Sequence, residues 1–348
     1  MTEGSIQESS SIAERVAQGD LRSLARLLRF VDDRSNDYQT ALKALFPRTG
    51  KAFIVGITGN PGAGKSTLTD RLVEAYRKMG KTVAVLCVDP SSPFSGGAIL
   101  GDRIRMNRHS TDPGVFIRSV ATRGHMGGLS RSARDMIRVL DAYGFDVVLV
   151  ETVGVGQDEL EITRTAHTTL VVMAPGLGDD IQAIKAGLLE CADVFAVNKA
   201  DRDGADSTVR DLELMIALGR ETFVASSKGR GHVVHSERDG AVESALASGT
   251  DARWTPPIHK CVALRNEGVA DVVASLEKHR EWIATSEDGK ERRLRRLREE
   301  MREAFREALI EDATRRLGTR MTEAAERVAA KEIDPYTLVE GLVEEFRG

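Results

Sequence analysis

The chain has 348 residues, 41% of them hydrophobic and 29% charged, and a formal net charge of −4. That length predicts one large domain with helical additions, and the near-neutral balance excludes a whole-protein attraction to nucleic acid or anionic lipid. Three cysteines, Cys87, Cys191 and Cys261, stand singly without CxxC spacing, which argues against a disulfide framework or a cysteine-rich zinc site and fits a reducing cytoplasm.

The N-terminal MTEGSIQESSS is acidic and serine-rich where a transit peptide is Arg-rich. No apolar run reaches the roughly eighteen residues of a membrane span, so a soluble protein that is not exported is expected. From about Ser11 to Leu45, Ile12, Val16, Leu21, Leu24, Leu27, Leu28, Leu42 and Leu45 fall at helical spacing and predict an N-terminal helical layer within residues 1–50. Short apolar, β-branched runs then follow at Ala52–Ile57, Val83–Val88, Val147–Val150, Leu170–Met173 and Val194–Val197. They lack clean alternation, as strands buried on both faces do, and helical patterns separate them. The expected fold is α/β, with a mostly parallel central sheet flanked by helices.

From Ser226 to Thr250 the chain is rich in Ser, Gly, His and charge without periodicity, and is read as an exposed insertion, 226–250. Regularity resumes at Trp254-Thr-Pro-Pro-Ile258, and a helix from about Val269 to Ile283 closes a nucleotide domain, 51–284. In the remaining segment, 285–348, the stripe Leu294, Leu297, Met301, Phe305, Ala308, Leu309 and Ala313 lies between Arg and Glu residues. Asp334-Pro335 then caps a last helix with inner face Leu338, Leu342 and Phe346. The stripe predicts a helical interaction arm, for a homodimer or another partner, the alternative being a helix packed on its own domain. The Arg-rich run 292–298 is interleaved with Glu291, Glu299, Glu300 and Glu303 and reads as a solvated, ion-paired helix instead of an RNA contact.

The run Phe53–Thr58 leads directly into Gly59-Asn60-Pro61-Gly62-Ala63-Gly64-Lys65-Ser66, a complete G-x-x-x-x-G-K-S, with Thr67 beginning the following helical run. Strand, loop and helix together make this a P-loop. Gly62 and Gly64 let backbone N–H groups approach a polyphosphate, the helix N-terminus adds positive dipole, Lys65 reaches the β- and γ-phosphates, and Ser66 supplies a hydroxyl to Mg²⁺.

Far downstream, Val194–Val197 runs into Asn198-Lys199-Ala200-Asp201, an N-K-x-D pattern. A carboxylate there accepts hydrogen bonds from guanine N1–H and the 2-amino group, a donor pair adenine lacks, so GTP/GDP is expected as the nucleotide. Asp89, Asp102 and Glu151 are the acids available to Mg²⁺ or to the attacking water; Asp89 and Glu151 close predicted strands, where side chains face the ligand crevice. Glu151-Thr-Val-Gly154 stands where Ras-like GTPases carry D-x-x-G, which points to the P-loop GTPase branch of metallochaperones and signal-recognition proteins.

These residues resemble the MeaB/ArgK-like G-proteins, relatives of the human methylmalonic aciduria type A protein. The matching stretches are GITGNPGAGKSTL (56–68), VDPSSPFSGGAILGDRIRM (88–106), ETVGVGQDE (151–159), GDDIQAIKAG (178–187) and NKAD (198–201). The resemblance implies three switch segments, metal-side roles for Asp89, Asp102 and Glu151, and a Lys185 that swings toward the nucleotide when a partner orders its loop. It further implies a GTPase chaperone that gates cobalamin loading and protects or reactivates an adenosylcobalamin-dependent acyl-CoA mutase. No cis arginine or water-positioning Gln is fixed by motif, Gln157 being the nearest candidate, so a low intrinsic rate raised by the partner is expected.

The family's base-clamping S-A-x resembles Val262-Ala263-Leu264 here, with Val for the serine; Ser226-Ser-Lys-Gly229 is the alternative. Two rival functions stay open. One is an ATP-dependent kinase linked to amino-acid transport, against which the N-K-x-D pattern counts. The other is a nickel metallochaperone using His232 and His235 or His259 and Cys261, neither pair having a matching ligand cluster.

Overall fold

The computed structural model describes residues 11–35, 37–89, 107–109, 111–121, 131–152, 162, 164–176, 192–228 and 254–347. These fall into two compact units, Met1–Ser286 and Glu287–Gly348. In the first, helices α1 (11–17), α2 (Leu21–Asp32) and α3 (Tyr38–Leu45) precede β1 (Phe53–Gly59), α4 (Lys65–Lys78), β2 (Val83–Asp89), β3 (Val115–Ala121), α5 (Arg131–Tyr143) and β4 (Val147–Thr152). Then come β5 (Thr168–Met173), β6 (Val194–Val197), α6 (Ala205–Lys228), β7 (Ile258–Lys260) and α7 (Val269–Thr285). The first three residues of the expected insertion, Ser226 to Lys228, thus continue α6; residues 229–250 lie outside the described residues.

Among the described residues the strands form one seven-stranded sheet in the order β3-β2-β4-β1-β5-β6-β7, and every adjacent pair is parallel. The apolar runs of the sequence resolve into two interleaved alternations, because successive side chains leave a strand on opposite faces. Ile54, Leu86, Val88, Val148 and Val150 pack with Leu24, Leu28, Met136 and Leu140 of the N-terminal helices and α5. Phe53, Val55, Ile57, Val85 and Leu149 pack on the other face with Leu68, Leu72 and Tyr76 of α4 and Val272 and Leu276 of α7. A third cluster joins Val171, Met173, Phe195 and Val197 to Leu212 of α6.

The chain enters β1 under control of one buried carboxylate. Asp141 of α5 accepts the backbone N–H groups of Gly50, Lys51 and Ala52, which satisfies donors that precede the strand ladder. Because all strands are parallel and β1 is central, the carboxyl ends of β1, β4, β6 and β7 lie on the same edge of the sheet.

The second unit consists of α8 (Glu287–Ala329) and α9 (Pro335–Arg347). Asp334 caps α9 by accepting from the N–H groups of Tyr336 and Thr337, both at 3.0 Å. Arg320 pairs with Glu345 at 2.9 Å, the Arg316 guanidinium lies over the Phe346 ring, and Leu338, Leu342 and Phe346 are half-buried. Leu294, Leu297, Met301, Phe305 and Leu309 of the predicted stripe are exposed. Their neighbours pair along the helix, Arg295 with Glu291 and Arg302 with Glu299.

Candidate functional site

The loop between β1 and α4 needs glycine at two places for different reasons. Gly59 has φ +130°, and a Cβ there would lie 2.0 Å from the Val172 carbonyl oxygen of β5; Gly64 has φ +91°, and its Cβ would meet Asn198 Nδ2 at 2.4 Å. The first collision is with backbone and cannot be relieved by a rotamer change. Gly59→Ala is therefore expected to lower unfolding free energy by on the order of 3 kcal/mol or more, checked by thermal or urea denaturation of the two proteins.

Lys65 opens α4 with its side chain buried, and its Nζ donates to the carbonyl oxygens of Gly59 at 2.7 Å and Asn60 at 3.0 Å. The ammonium thus sits over the loop that carries the P-loop N–H groups. Asn60 Nδ2 is buried and has no hydrogen-bond partner among the described residues, so there the loop holds an unsatisfied donor as well as the cation. Both groups suit phosphate oxygens.

One turn into the site, Ser66 Oγ donates to Glu151 Oε1 at 2.6 Å. Glu151 is the penultimate residue of β4 beside β1, in register with Ile57, and is 5% exposed. A hydroxyl and a carboxylate side by side form an oxygen-only donor pair, which fits a hard divalent cation such as Mg²⁺. Asp89 ends β2, with its side chain outside the described residues; Asp102, Gln157 and Lys185 lie outside them altogether.

Asn198 ties three separate pieces of chain together. Its Nδ2 donates to the Ala63 carbonyl of the P-loop at 2.9 Å, and its Oδ1 accepts from the Ala263 N–H at 3.0 Å. Lys199, at φ +58°, reaches back to the Gly62 carbonyl at 2.6 Å. Arg71 of α4 braces the same loop from below, donating to the carbonyls of Ala263 and Leu264, each at 3.0 Å.

Asp201, Val262, Cys261, Arg265 and Glu267 line an open cleft of about 300 Å³. The loop Val262–Leu264 therefore lies beside the N-K-x-D segment, whereas Ser226 belongs to α6. Its donors are already divided: Val262 N–H goes to Glu267 O and Ala263 N–H to Asn198. Val262 brings no side-chain polar group, and Asp201 pairs instead with Arg265 at 3.1 Å. Arg71, Arg265 and Glu267 were not flagged by motif, because single charged residues outside a pattern carry no local signal.

The His259 and Cys261 side chains have separate partners. His259 Nε2 meets Ser275 Oγ at 2.7 Å, and burial lowers its imidazole below the usual pKa. Cys261 faces Asn198 Oδ1 at 3.8 Å, and burial pushes its thiol up to about 12, which disfavours the thiolate a metal needs. His232 and His235 lie outside the described residues. Among the described residues no helix is long and apolar enough to cross a membrane.

Comparison with known proteins gives concordant matches. The family model for the methylmalonyl-CoA mutase-associated GTPase MeaB matches residues 24–318. A Pyrococcus abyssi protein that bears a GTPase name is 44% identical over 340 residues, covering 97% of this chain and 96% of its own. A fused isobutyryl-CoA mutase of Cupriavidus metallidurans is 39% identical over 215 residues, which are 60% of this chain and 20% of that protein. The solved structure of a LAO/AO transport system kinase superposes with a TM-score of 0.63 at 24% identity, covering 100% of this chain and 99% of that one, a likeness of fold.

Proposed function

Because the chain belongs to the MeaB family of methylmalonyl-CoA mutase-associated GTPases, we propose that it is a Mg²⁺-dependent GTPase serving as chaperone to an adenosylcobalamin-dependent acyl-CoA mutase. Its nucleotide state gates cobalamin loading and protects or reactivates that mutase. The observation that carries the reading is the arrangement along one sheet edge: a phosphate loop with Lys65 and the Ser66–Glu151 pair at one end, Asp201 in an open cleft at the other, and Asn198 bonded to both loops between them. The mutase as partner is supported by the match to the fused isobutyryl-CoA mutase.

The roles follow from the chemistry of each group. N–H groups of the loop 59–66, with Lys65, hold the β- and γ-phosphates, and Thr67 extends the helix start that faces them. Ser66, Asp89, Asp102 and Glu151 hold Mg²⁺, which neutralises charge on the phosphates and orients them. The Lys199 stem lies along the base, Asp201 accepts its N1–H and 2-amino donors, and the Leu264 N–H is left for O6 once Val262 and Ala263 are spent. Gln157 orients the attacking water, and Lys185 completes charge stabilisation when the mutase orders its loop, so the intrinsic rate is low. The exposed stripe Leu294–Leu309 joins two copies into a homodimer, and the protein works in the cytoplasm.

Calorimetry on the full-length protein should give GTP and GDP affinities about 100-fold above those of ATP and ADP, the worth of two hydrogen bonds to a charged acceptor. Equal affinities sink the guanine reading. A pull-down from native extract with a non-hydrolysable GTP analogue should recover an acyl-CoA mutase; labelled γ-phosphate appearing on an acceptor other than water favours the kinase reading instead.

A further inference from the structure

Asp201 decides the base in the reading above, and its carboxylate is half-exposed on a short side chain at the rim of an open cleft. Left alone it would rotate freely. What holds it is a chain of two ion pairs. Arg265 Nη1 donates to Asp201 Oδ2 at 3.1 Å, while Arg265 Nε and Nη2 engage Glu267 Oε1 at 2.8 Å and Oε2 at 3.2 Å.

Glu267 is itself fixed by backbone. Val262 N–H donates to Glu267 O at 2.9 Å and Glu267 N–H returns to Val262 O at 3.3 Å, closing a tight loop in which Asn266 takes a left-handed φ of +60°. The planar guanidinium is therefore set by a two-pronged contact on one side and presents a further N–H to Asp201 on the other. The other cation of the cleft, Lys260, is paired with Asp206 at 2.9 Å, Val262 has no polar side-chain group, and the Cys261 thiol faces Asn198.

We infer that Arg265 is a positioning residue for guanine selection, holding the Asp201 carboxylate through Oδ2 in the orientation that receives the N1–H and 2-amino group of the base, with Glu267 setting Arg265. The inference rests on the guanine reading above. The hydrogen-bond count permits it, since a carboxylate offers about four acceptor sites over two oxygens and Arg265 occupies one of them. Exposed ion pairs contribute little by themselves. The gain is preorganisation, because the rotamer of Asp201 is fixed before the base arrives. If Arg265 acted instead as a plug competing for Asp201, its removal would tighten guanine binding.

The test is calorimetry of the full-length wild type, R265A, R265K and E267Q with GDP, with IDP, which lacks the 2-amino group, and with ADP. R265A is expected to weaken GDP by about tenfold and IDP by about threefold, shrinking the GDP-to-IDP ratio, with ADP unchanged. E267Q shrinks the ratio less, and R265K, which keeps charge without the planar fork, recovers only part of it. An unchanged GDP-to-IDP ratio in R265A, or tighter GDP binding, overturns the inference. A wild type with no preference for GDP over ADP sinks the guanine reading itself and the inference with it, a result visible before any variant is measured.

Discussion

Asp201→Asn lowers GTP affinity by roughly 100-fold and makes XTP the better ligand. The carboxylate accepts two donors from guanine; an amide accepts one and turns its own N–H₂ toward the 2-amino group, so a hydrogen bond is replaced by donor facing donor. Xanthine carries a 2-oxo group at that position and restores the match. The ion pair with Arg265 at 3.1 Å is weakened at the same time, which adds to the loss for GTP. Calorimetry with GTP, XTP and ATP on both proteins checks this. Wild-type GTP affinity in D201N would mean that the base is chosen elsewhere.

Glu151→Gln lowers the rate of phosphate release at saturating GTP by roughly 100- to 1,000-fold, the size of effect seen when one group that stabilises transition-state charge is removed. The variant is isosteric, and its amide oxygen still accepts from Ser66 Oγ, now 2.6 Å from Glu151 Oε1, so the buried contact and the fold are retained. What it loses is the negative charge opposite the cation. Two readouts separate this from general damage. GDP affinity measured in EDTA should stay close to wild type, and the Mg²⁺ concentration for half-maximal hydrolysis should rise about tenfold or more. If hydrolysis in E151Q keeps its rate and its Mg²⁺ dependence, Glu151 is not on the metal side of the site.

Legibility in the sequence followed burial. Strands β1, β2, β4, β5 and β6 are interior to the sheet, covered on both faces, and stand out as apolar runs. β3 and β7 went unread because they are the two edges. Val115–Ala121 carries Arg118 and Ser119 in mid-strand, and Ile258–Lys260 is three residues long with His259 at its centre. Edge strands are held by one neighbour and half-wetted, so their composition drifts toward loop. The same holds for the arm, where the spacing of Leu294 to Leu309 identified a helix but its exposed face carries no mark of what covers it.

The chemistry legible from the sequence was contiguous chemistry. Gly59 to Ser66 and Asn198 to Asp201 each pack their donors, acceptors and special backbone positions into a few neighbouring residues, because a phosphate or a purine edge is small enough to be read by one turn of chain. Tertiary structure alone decided how these turns meet. Asn198 reaches Ala63, 135 residues away, and Ala263, 65 residues away; Glu151 reaches Ser66 across 85. Arg265 reaches Asp201 across 64, supplying the polar partner that Val262 lacks. Such contacts are set by parallel strands that bring their carboxyl ends to one edge, and a lone arginine or glutamate in a loop has no periodicity or spacing by which its partner could be named in advance.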